Sequence, residues 1–356
     1  MLNKLLSILL FPFSLLYGLI TYIRNKLYDL EILNSVEFSL PVISVGNLNV
    51  GGVGKTPHVE YLIRLLSDYK TATLSRGYKR NTTGFYLANE TTTIYDIGDE
   101  PMQYKSKFND LLVTVDEKRV RGIKTILKSN PETKVILLDD AYQHRAVKPG
   151  INILVTDYSK MYINDIVLPS GRLREWAIGS KRADIIIVSK TPDILSPLDI
   201  RRIKEDLKPE PYQEIFFSYT KYGELTPITE TAFKMVVEKS KNCSVLLVTG
   251  IAKPQPLFYY IKDKFNAVEH LKFPDHHNFT STDIENIKAS FNNLYGNNKL
   301  IITTEKDLMR LSLPKIKEQI DELPFFYLPI EVCFHGKDKE EFDTKILKYV
   351  KANTRS

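Results

Sequence analysis

An α/β protein built on parallel sheet is predicted for this 356-residue chain by three observations. Short β-branched runs alternate with polar, helix-patterned stretches. The runs are apolar throughout, the pattern of strands covered on both faces. A glycine-rich turn at 46–56 joins one such run to a helical stretch. A third feature is the break near 207–212, where KPEPY interrupts the alternation. It divides a chain long enough for two cores. The expected organisation is an N-terminal helix over 1–36, a first α/β domain over 37–212, and a smaller α/β domain over 213–356 closing a cleft.

At the N-terminus no charge occurs from Leu5 to Ile23, with Lys4 before and Arg24 and Lys26 after. Nineteen residues at about 1.5 Å each reach about 28 Å, close to a bilayer's hydrocarbon thickness. No small-x-small site follows, which argues against a cleaved signal peptide. A spanning helix and a buried core helix both remain open. Ser7, Ser14, Gly18 and Thr21 share one face opposite a wide apolar one. The expectation is therefore a membrane-associated helix lying on or dipping into the surface, kinked at Pro12.

The strand expected at Pro41–Val45 runs into Asn49, Val50, Gly51, Gly52, Val53, Gly54, Lys55 and Thr56. Glycines let backbone N–H groups approach phosphates, the lysine ammonium meets the β/γ oxygens, and the threonine hydroxyl reaches Mg²⁺. A helix from His58 to Ser67 would aim its positive end at the same anion. Asn49 stands where the full G-x-x-x-x-G-K-[ST] pattern has glycine. A plain glycine turn with a solvated lysine is the competing reading. With its strand before and helix after, the motif predicts a P-loop NTPase-like parallel-sheet domain.

Further strands are expected at Thr71–Ser75, Leu111–Val115, Val135–Asp139, Ile151–Thr156 and Asp184–Ser189. Val135–Asp139 ends in the carboxylates of Asp139 and Asp140, where phosphate-loop enzymes place an acid that holds Mg²⁺. His144, four residues on, suits a phosphate or metal contact as well as a structural role. Arg76 follows a strand into a glycine and can pair with a phosphate oxygen. Gly98-Asp99-Glu100-Pro101 sets two acids at a turn. Arg172, Arg174 and Glu175 lie in a loop that offers arginines to an anionic substrate, or is simply solvated. In the second domain, strands are expected at 214–220, 234–237, 244–249, 267–271, 299–303 and 325–330. The pair His276 and His277 lies there, without other ligands at metal-binding spacing. Thr303 or Thr304 is expected to cap the helix opened by Glu305-Lys306-Asp307, a structural role. The final helix, from about 339, fits neither domain by pattern.

Forty-nine basic against 43 acidic residues give a net charge of +6, which fits an acidic ligand or an anionic membrane surface. The lysines are scattered and not interleaved with aromatics, so no nucleic-acid partner is expected. Cys243 and Cys333 are far apart and lack metal-ligand spacing, the usage of buried thiols in a reducing compartment.

Taken in order, SVGNLNVGGVGKTP, LSRGYKR, GDEP, DDAYQH, LPSGRLRE, VTGIAKP, FPDHHNFT and TTEKD resemble the successive motifs of the tetraacyldisaccharide 4′-kinases, the lipid A 4′-kinases. The resemblance covers about residues 5 to 330. Ala141 and Tyr142 depart from it, replacing the Gly and Phe of DDGFQH. It implies transfer of the γ-phosphoryl of ATP to the 4′-hydroxyl of an acylated glucosamine disaccharide 1-phosphate, a glycolipid. The implied setting is the cytoplasmic face of a bacterial inner membrane. Lys55 would neutralise the β/γ phosphates, Thr56 with Asp139 and Asp140 would hold Mg²⁺, and Asp99 would be the base. His276, chosen over His277 by position, would pair with Asp99. The rival class is a phosphate-loop ATPase switch, whose signature lysine is replaced here by Val50.

Overall fold

The computed structural model describes residues 2–235 and 243–354, in two compact units: Met1–Lys221 with Val332–Ser356, and Tyr222–Glu331. The first unit opens with α1 (Leu2–Asp29), β1 (Val42–Gly46), α2 (Lys55–Leu65), β2 (Thr71–Ser75), β3 (Tyr86–Leu87), α3 (Ile94–Ile97) and α4 (Asp99–Lys107). It continues with β4 (Leu112–Val115), α5 (Arg119–Ser129), β5 (Val135–Asp139), β6 (Ile151–Asp157), β7 (Ile185–Ser189), α6 (Pro197–Leu207) and β8 (Glu214–Tyr222). The second unit holds β9 (Thr226–Pro227), α7 (Glu230–Phe233), β10 (Ser244–Thr249), α8 (Gln255–Lys264), β11 (Ala267–Lys272) and α9 (Ser281–Asn293). After these come β12 (Lys299–Thr304), α10 (Glu305–Leu311), α11 (Pro314–Ile320) and β13 (Phe325–Leu328). The chain then returns through β14 (Ile330–Phe334) and α12 (Asp338–Asn353).

The nine-stranded sheet of the first unit has the order β14-β8-β7-β6-β1-β5-β2-β4-β3. Pairing is parallel from β8 through β4, and β3 runs antiparallel. β1 is central, with β5 beside it and Val45 opposite Asp139. The glycine loop and the two strand-end acids therefore leave the sheet side by side, at the carboxyl ends where open α/β sheets bind ligands. Ile43, Val45, Leu137 and Ile187 are buried on one face, and Val42, Leu74, Ile136 and Leu138 on the other, as uninterrupted apolar runs require.

Three expectations are corrected. The strand expected at 214–220 in the second domain is β8, whose Phe216 pairs with Ile187 of β7 in the first sheet. KPEPY is only the turn after α6, entered through left-handed Lys208. The single strand expected at 325–330 is two, because Pro329 intervenes between β13 and β14. The boundary thus moves from 212/213 to 221/222, and the tail beyond 331 belongs to the first unit. There Phe342, Ile346 and Val350 of α12 share a core with Phe216 and Phe334. Of the strand expected at 234–237, Lys234 and Met235 are turn and irregular, and 236–237 lie outside the described residues.

The polar stripe of α1 is its protein-facing side. Ser14 is 1% exposed and donates to Ser170 Oγ at 2.8 Å, while Ser7 donates to the Ser170 carbonyl at 3.0 Å. Tyr17 donates to the Arg174 carbonyl at 2.8 Å. Gly18 is required by close approach, since a Cβ there would lie 2.6 Å from the Trp176 indole. Ile8, Leu9, Phe11, Phe13, Leu15, Leu16, Leu19, Ile20 and Ile23 face outward, and the helix runs on through Pro12. A buried core helix is thereby excluded.

The second unit's sheet has the order β11-β10-β12-β13-β9, parallel except for β9. Its two chain ends meet: the Gly223 amide donates to the Pro329 carbonyl at 2.8 Å.

Candidate active site

The loop after β1 passes straight into α2. Left-handed Gly54 (φ 91°) ends it, so the helix starts at Lys55, three residues before the expected His58. Lys55 and Thr56 thus occupy its first turn, where backbone N–H groups have no helical partner. Gly51 (φ 116°) and Gly52 border open space, with nothing within 4 Å of a Cβ built at either. The loop's outer edge is clamped: Val50 N–H donates to the Arg172 carbonyl at 2.7 Å and Asn49 bridges to Leu173. Asn49, standing where the pattern has glycine, donates through its side chain to Asp165 Oδ2 at 3.2 Å. On the other side, Ser189 donates to the Val53 carbonyl at 2.7 Å, and Lys190 reaches the Gly52 carbonyl.

Lys55 is buried and points at the acids. Its Nζ donates to Asn47 Oδ1 at 3.1 Å and lies 3.4 Å from Asp140 Oδ1. Arg174 donates to that same carboxylate oxygen at 2.8 Å. Burial pushes Asp140 upward, but Lys55 and Arg174 outweigh it and hold the carboxyl well below the usual range. Asp139, fully buried, is shifted the other way. Burial, helped by the charges of Glu100 and Asp140, raises it to about 7. Its Oδ2 accepts from Tyr104 of α4 at 3.0 Å, and its Oδ1 is buried without a hydrogen-bond partner. Two neighbouring carboxylates thus differ sharply because Asp140 is paired directly with Lys55 and Arg174, whereas for Asp139 burial and Glu100 outweigh the pull of Lys55.

Asp99 is buried as the first residue of α4. The helix start is pressed against the loop after β2: a Cβ on Gly98 (φ 87°) would come within 2.7 Å of the Tyr78 carbonyl. Arg76 of that loop is exposed and adds to the positive field around His144. Burial, then Arg119 and Arg76, lowers the His144 imidazole to about 4. Arg172 pairs with Asp165 at 3.1 Å and does not join the acids. Glu175 is buried, bound by Arg182 at 2.8 Å, by Gln143 at 3.0 Å and by Asn25 of α1 at 2.6 Å. Gln143 in turn donates to the Asn47 carbonyl at 3.0 Å. The loop around 174–175 thereby links α1 to the phosphate loop.

In the second unit, the His276 ring is flanked by Lys306 Nζ at 3.0 Å and Arg310 Nη2 at 3.4 Å. His277 is committed elsewhere: it bonds Asp283 of the α9 capping box at 2.9 Å and stacks on Phe273. Thr304, not Thr303, caps α10 by accepting from the Asp307 amide at 3.1 Å.

Asn47, which meets Lys55, sits in the glycine-loop motif without being singled out there, whereas Glu60, Tyr104, Arg119 and Lys190 all touch the loop, the acids or α4 and lie in none of the motifs. Their only signal in sequence is a polar group where the apolar pattern calls for core, as with Glu60 inside α2 and Tyr104 inside α4.

The tetraacyldisaccharide-1-P 4′-kinase family matches residues 6–351 of this chain. The tetraacyldisaccharide 4′-kinase of Flavobacterium johnsoniae is 48% identical over 98% of this chain and 99% of its own length. That of Bacteroides thetaiotaomicron is 45% identical over 98% and 94%. The structure is similar to a crystal structure of "apo" form LpxK from Aquifex aeolicus in complex with ATP, with a TM-score of 0.73 and 27% identity, covering 97% of this chain and 99% of the other. A phosphate loop whose lysine meets a strand-end acid, on an α/β fold shared along the whole chain, thus coincides with full-length kinship: the chain belongs to the tetraacyldisaccharide-1-P 4′-kinase family and is a kinase of lipid A biosynthesis.

Proposed function

We propose that this chain, working with Mg-ATP at the cytoplasmic surface of the inner membrane, phosphorylates the 4′-hydroxyl of a tetraacyl glucosamine disaccharide 1-phosphate. The observation that carries the residue roles is the pairing of Lys55 with Asp140, next to Asp139 at the same strand end and beside a glycine loop bordering open space. Lys55 takes the β/γ phosphate oxygens in this reading, and the Arg174 bond to Asp140 at 2.8 Å supports it.

The donor set suits Mg²⁺: an unpartnered carboxylate oxygen on Asp139, the Asp140 carboxylate and the Thr56 hydroxyl are all hard oxygens. Among the described residues no three His, Cys, Asp or Glu side chains gather into a metal cage. That fits an ion taking its remaining ligands from phosphate and water. When bound, Mg²⁺ neutralises charge on the β- and γ-phosphates. Asp99 accepts the proton of the attacking hydroxyl, and His276 is the histidine assigned to catalysis, a choice favoured by His277 being tied to Asp283.

Membrane attachment rests on α1, which keeps its polar stripe on the protein from Ser7 to Asn25 while its apolar face is left outward. A spanning helix would have to shed that whole row of bonds, so lying on the surface is the better reading. The deciding experiment incubates purified protein with Mg-ATP and tetraacyl disaccharide 1-phosphate. The expected product is heavier by one phosphate, with ATP left nearly intact when lipid is omitted. Equal ATP hydrolysis with and without lipid would instead favour the ATPase switch.

A further inference from the structure

Glu60 lies in the middle of α2, 1% exposed, five residues beyond the phosphate-loop lysine. A buried carboxylate is costly unless donors surround it. Two of its three partners come from α4: Gln103 Nε2 donates at 2.8 Å and Lys107 Nζ at 2.8 Å. The third partner, Arg64, one turn along α2, forms an ion pair at 3.7 Å without a hydrogen bond. Gln103 and Lys107 stand four and eight residues after Asp99, so the three form one stripe along α4. Its two lower members are fixed to the helix that begins at Lys55, and its top member is Asp99. Tyr104, fully buried next to Gln103, holds α4 from another side by donating to Asp139 Oδ2 at 3.0 Å.

We infer that Glu60 is a positioning residue for phosphoryl transfer, which through Gln103, with Tyr104 on Asp139 as the second tie, sets the rotation and height of α4 and so places the Asp99 carboxylate relative to the phosphate loop. One residue of helical slip turns a side chain by about 100° and moves it about 1.5 Å along the axis. Displacements of that size cost orders of magnitude in rate. The partners of Glu60 are Gln103, Lys107 and Arg64, none of which belongs to the phosphate loop. Loss of Glu60 or Gln103 therefore acts on turnover and not on the hold on nucleotide. The inference rests on Asp99 being the base.

The test measures kcat with Mg-ATP and tetraacyl disaccharide 1-phosphate, and equilibrium Mg-ATP binding, on the full chain. The variants are Gln103→Met, Tyr104→Phe, Asp99→Asn, and each of the first two combined with Asp99→Asn. The expected result is a fall in kcat at saturating Mg-ATP of about tenfold for Gln103→Met and for Tyr104→Phe, with nucleotide affinity within about twofold of the parent for Gln103→Met. In the Asp99→Asn background each should cost less than about twofold more, because misplacing an absent base removes nothing. Glu60→Gln, which keeps an acceptor for Gln103, should retain more kcat than Glu60→Met. Tyr104→Phe keeps the ring's packing and carries the test where Gln103→Met does not fold. Parental kcat in both single variants, losses that persist undiminished in the Asp99→Asn background, or losses that track weakened nucleotide binding would each overturn the inference. A parental rate in Asp99→Asn itself would overturn the base assignment instead.

Discussion

Asp139 and Asp140 share a strand end and differ because of a single neighbour set. Asp140 meets Lys55 and Arg174, whereas Asp139 points into the protein toward Tyr104. Lys55→Ala should therefore weaken Mg-ATP binding and slow transfer together, as isothermal titration and initial rates would show. Normal values of both would contradict the phosphate-loop role. Asp99→Ala should lower turnover by about 10²-fold or more while nucleotide still binds, and a rate within threefold of the parent would remove Asp99 as base. His58 gives a prediction on stability. Burial lowers its imidazole to about 4, with Nδ1 near the Gly54 carbonyl at 2.7 Å and Nε2 near Ser218 Oγ at 2.9 Å. A depressed histidine stabilises the fold above its unfolded value of about 6.5. That contribution, on the order of 3 kcal/mol, drains away as pH falls from about 6.5 to about 4. His58→Gln should flatten the acid limb of a melting-temperature profile there, leaving the shares of His144 and His270, which are lowered in the same direction. At this scale the sequence marked Lys55, Thr56 and the paired acids as candidates through their motif spacing, and the structure brings Lys55 within 3.4 Å of Asp140. It hid Glu60 and Tyr104, whose partners lie 43 and 35 residues away along the chain.

Among the elements, strands read best. Thr71–Ser75 and Val135–Asp139 have the expected bounds, because a doubly covered strand must be apolar along its whole length. β8 belongs to the first sheet although it follows KPEPY, since a proline-rich turn marks the end of an element and not of a domain. β14 was merged with β13 because one proline separates them while their sheets differ. α1 was legible as to its two faces but not as to which of them the protein uses. Of the four small or hydroxylated residues, Ser7, Ser14 and Gly18 meet the protein, Gly18 by its close approach to Trp176, while Thr21 bonds back to the Gly18 carbonyl. Gly18→Leu should wedge α1 from Trp176, cutting turnover on lipid about tenfold while leaving soluble Mg-ATP binding within about twofold. Vesicle co-sedimentation of protein lacking residues 1–24 checks attachment separately: loss is expected, and undiminished sedimentation would refute the anchoring role.

For the molecule as a whole, the second unit is an insertion between β8 and β14 whose ends are joined by the Gly223–Pro329 hydrogen bond. A short glycine-serine turn can span such ends. Replacing 222–331 by one should leave a first unit that melts cooperatively and binds Mg-ATP yet transfers no phosphate. Transfer at the parental rate would remove the second unit, His276 included, from the chemistry. A linear reading of domains missed this arrangement because the tail that completes the first core follows the insertion.

The outward row of leucine, isoleucine and phenylalanine on α1 also changes what concentration means for this enzyme. A catalyst resting by that face on a lipid film meets its acceptor in two dimensions, through lateral diffusion in the film. Its apparent Michaelis constant for the glycolipid is then a mole fraction. Adding inert detergent at fixed bulk glycolipid should slow the reaction by surface dilution, whereas the constant for ATP, which arrives from water, stays in molar units.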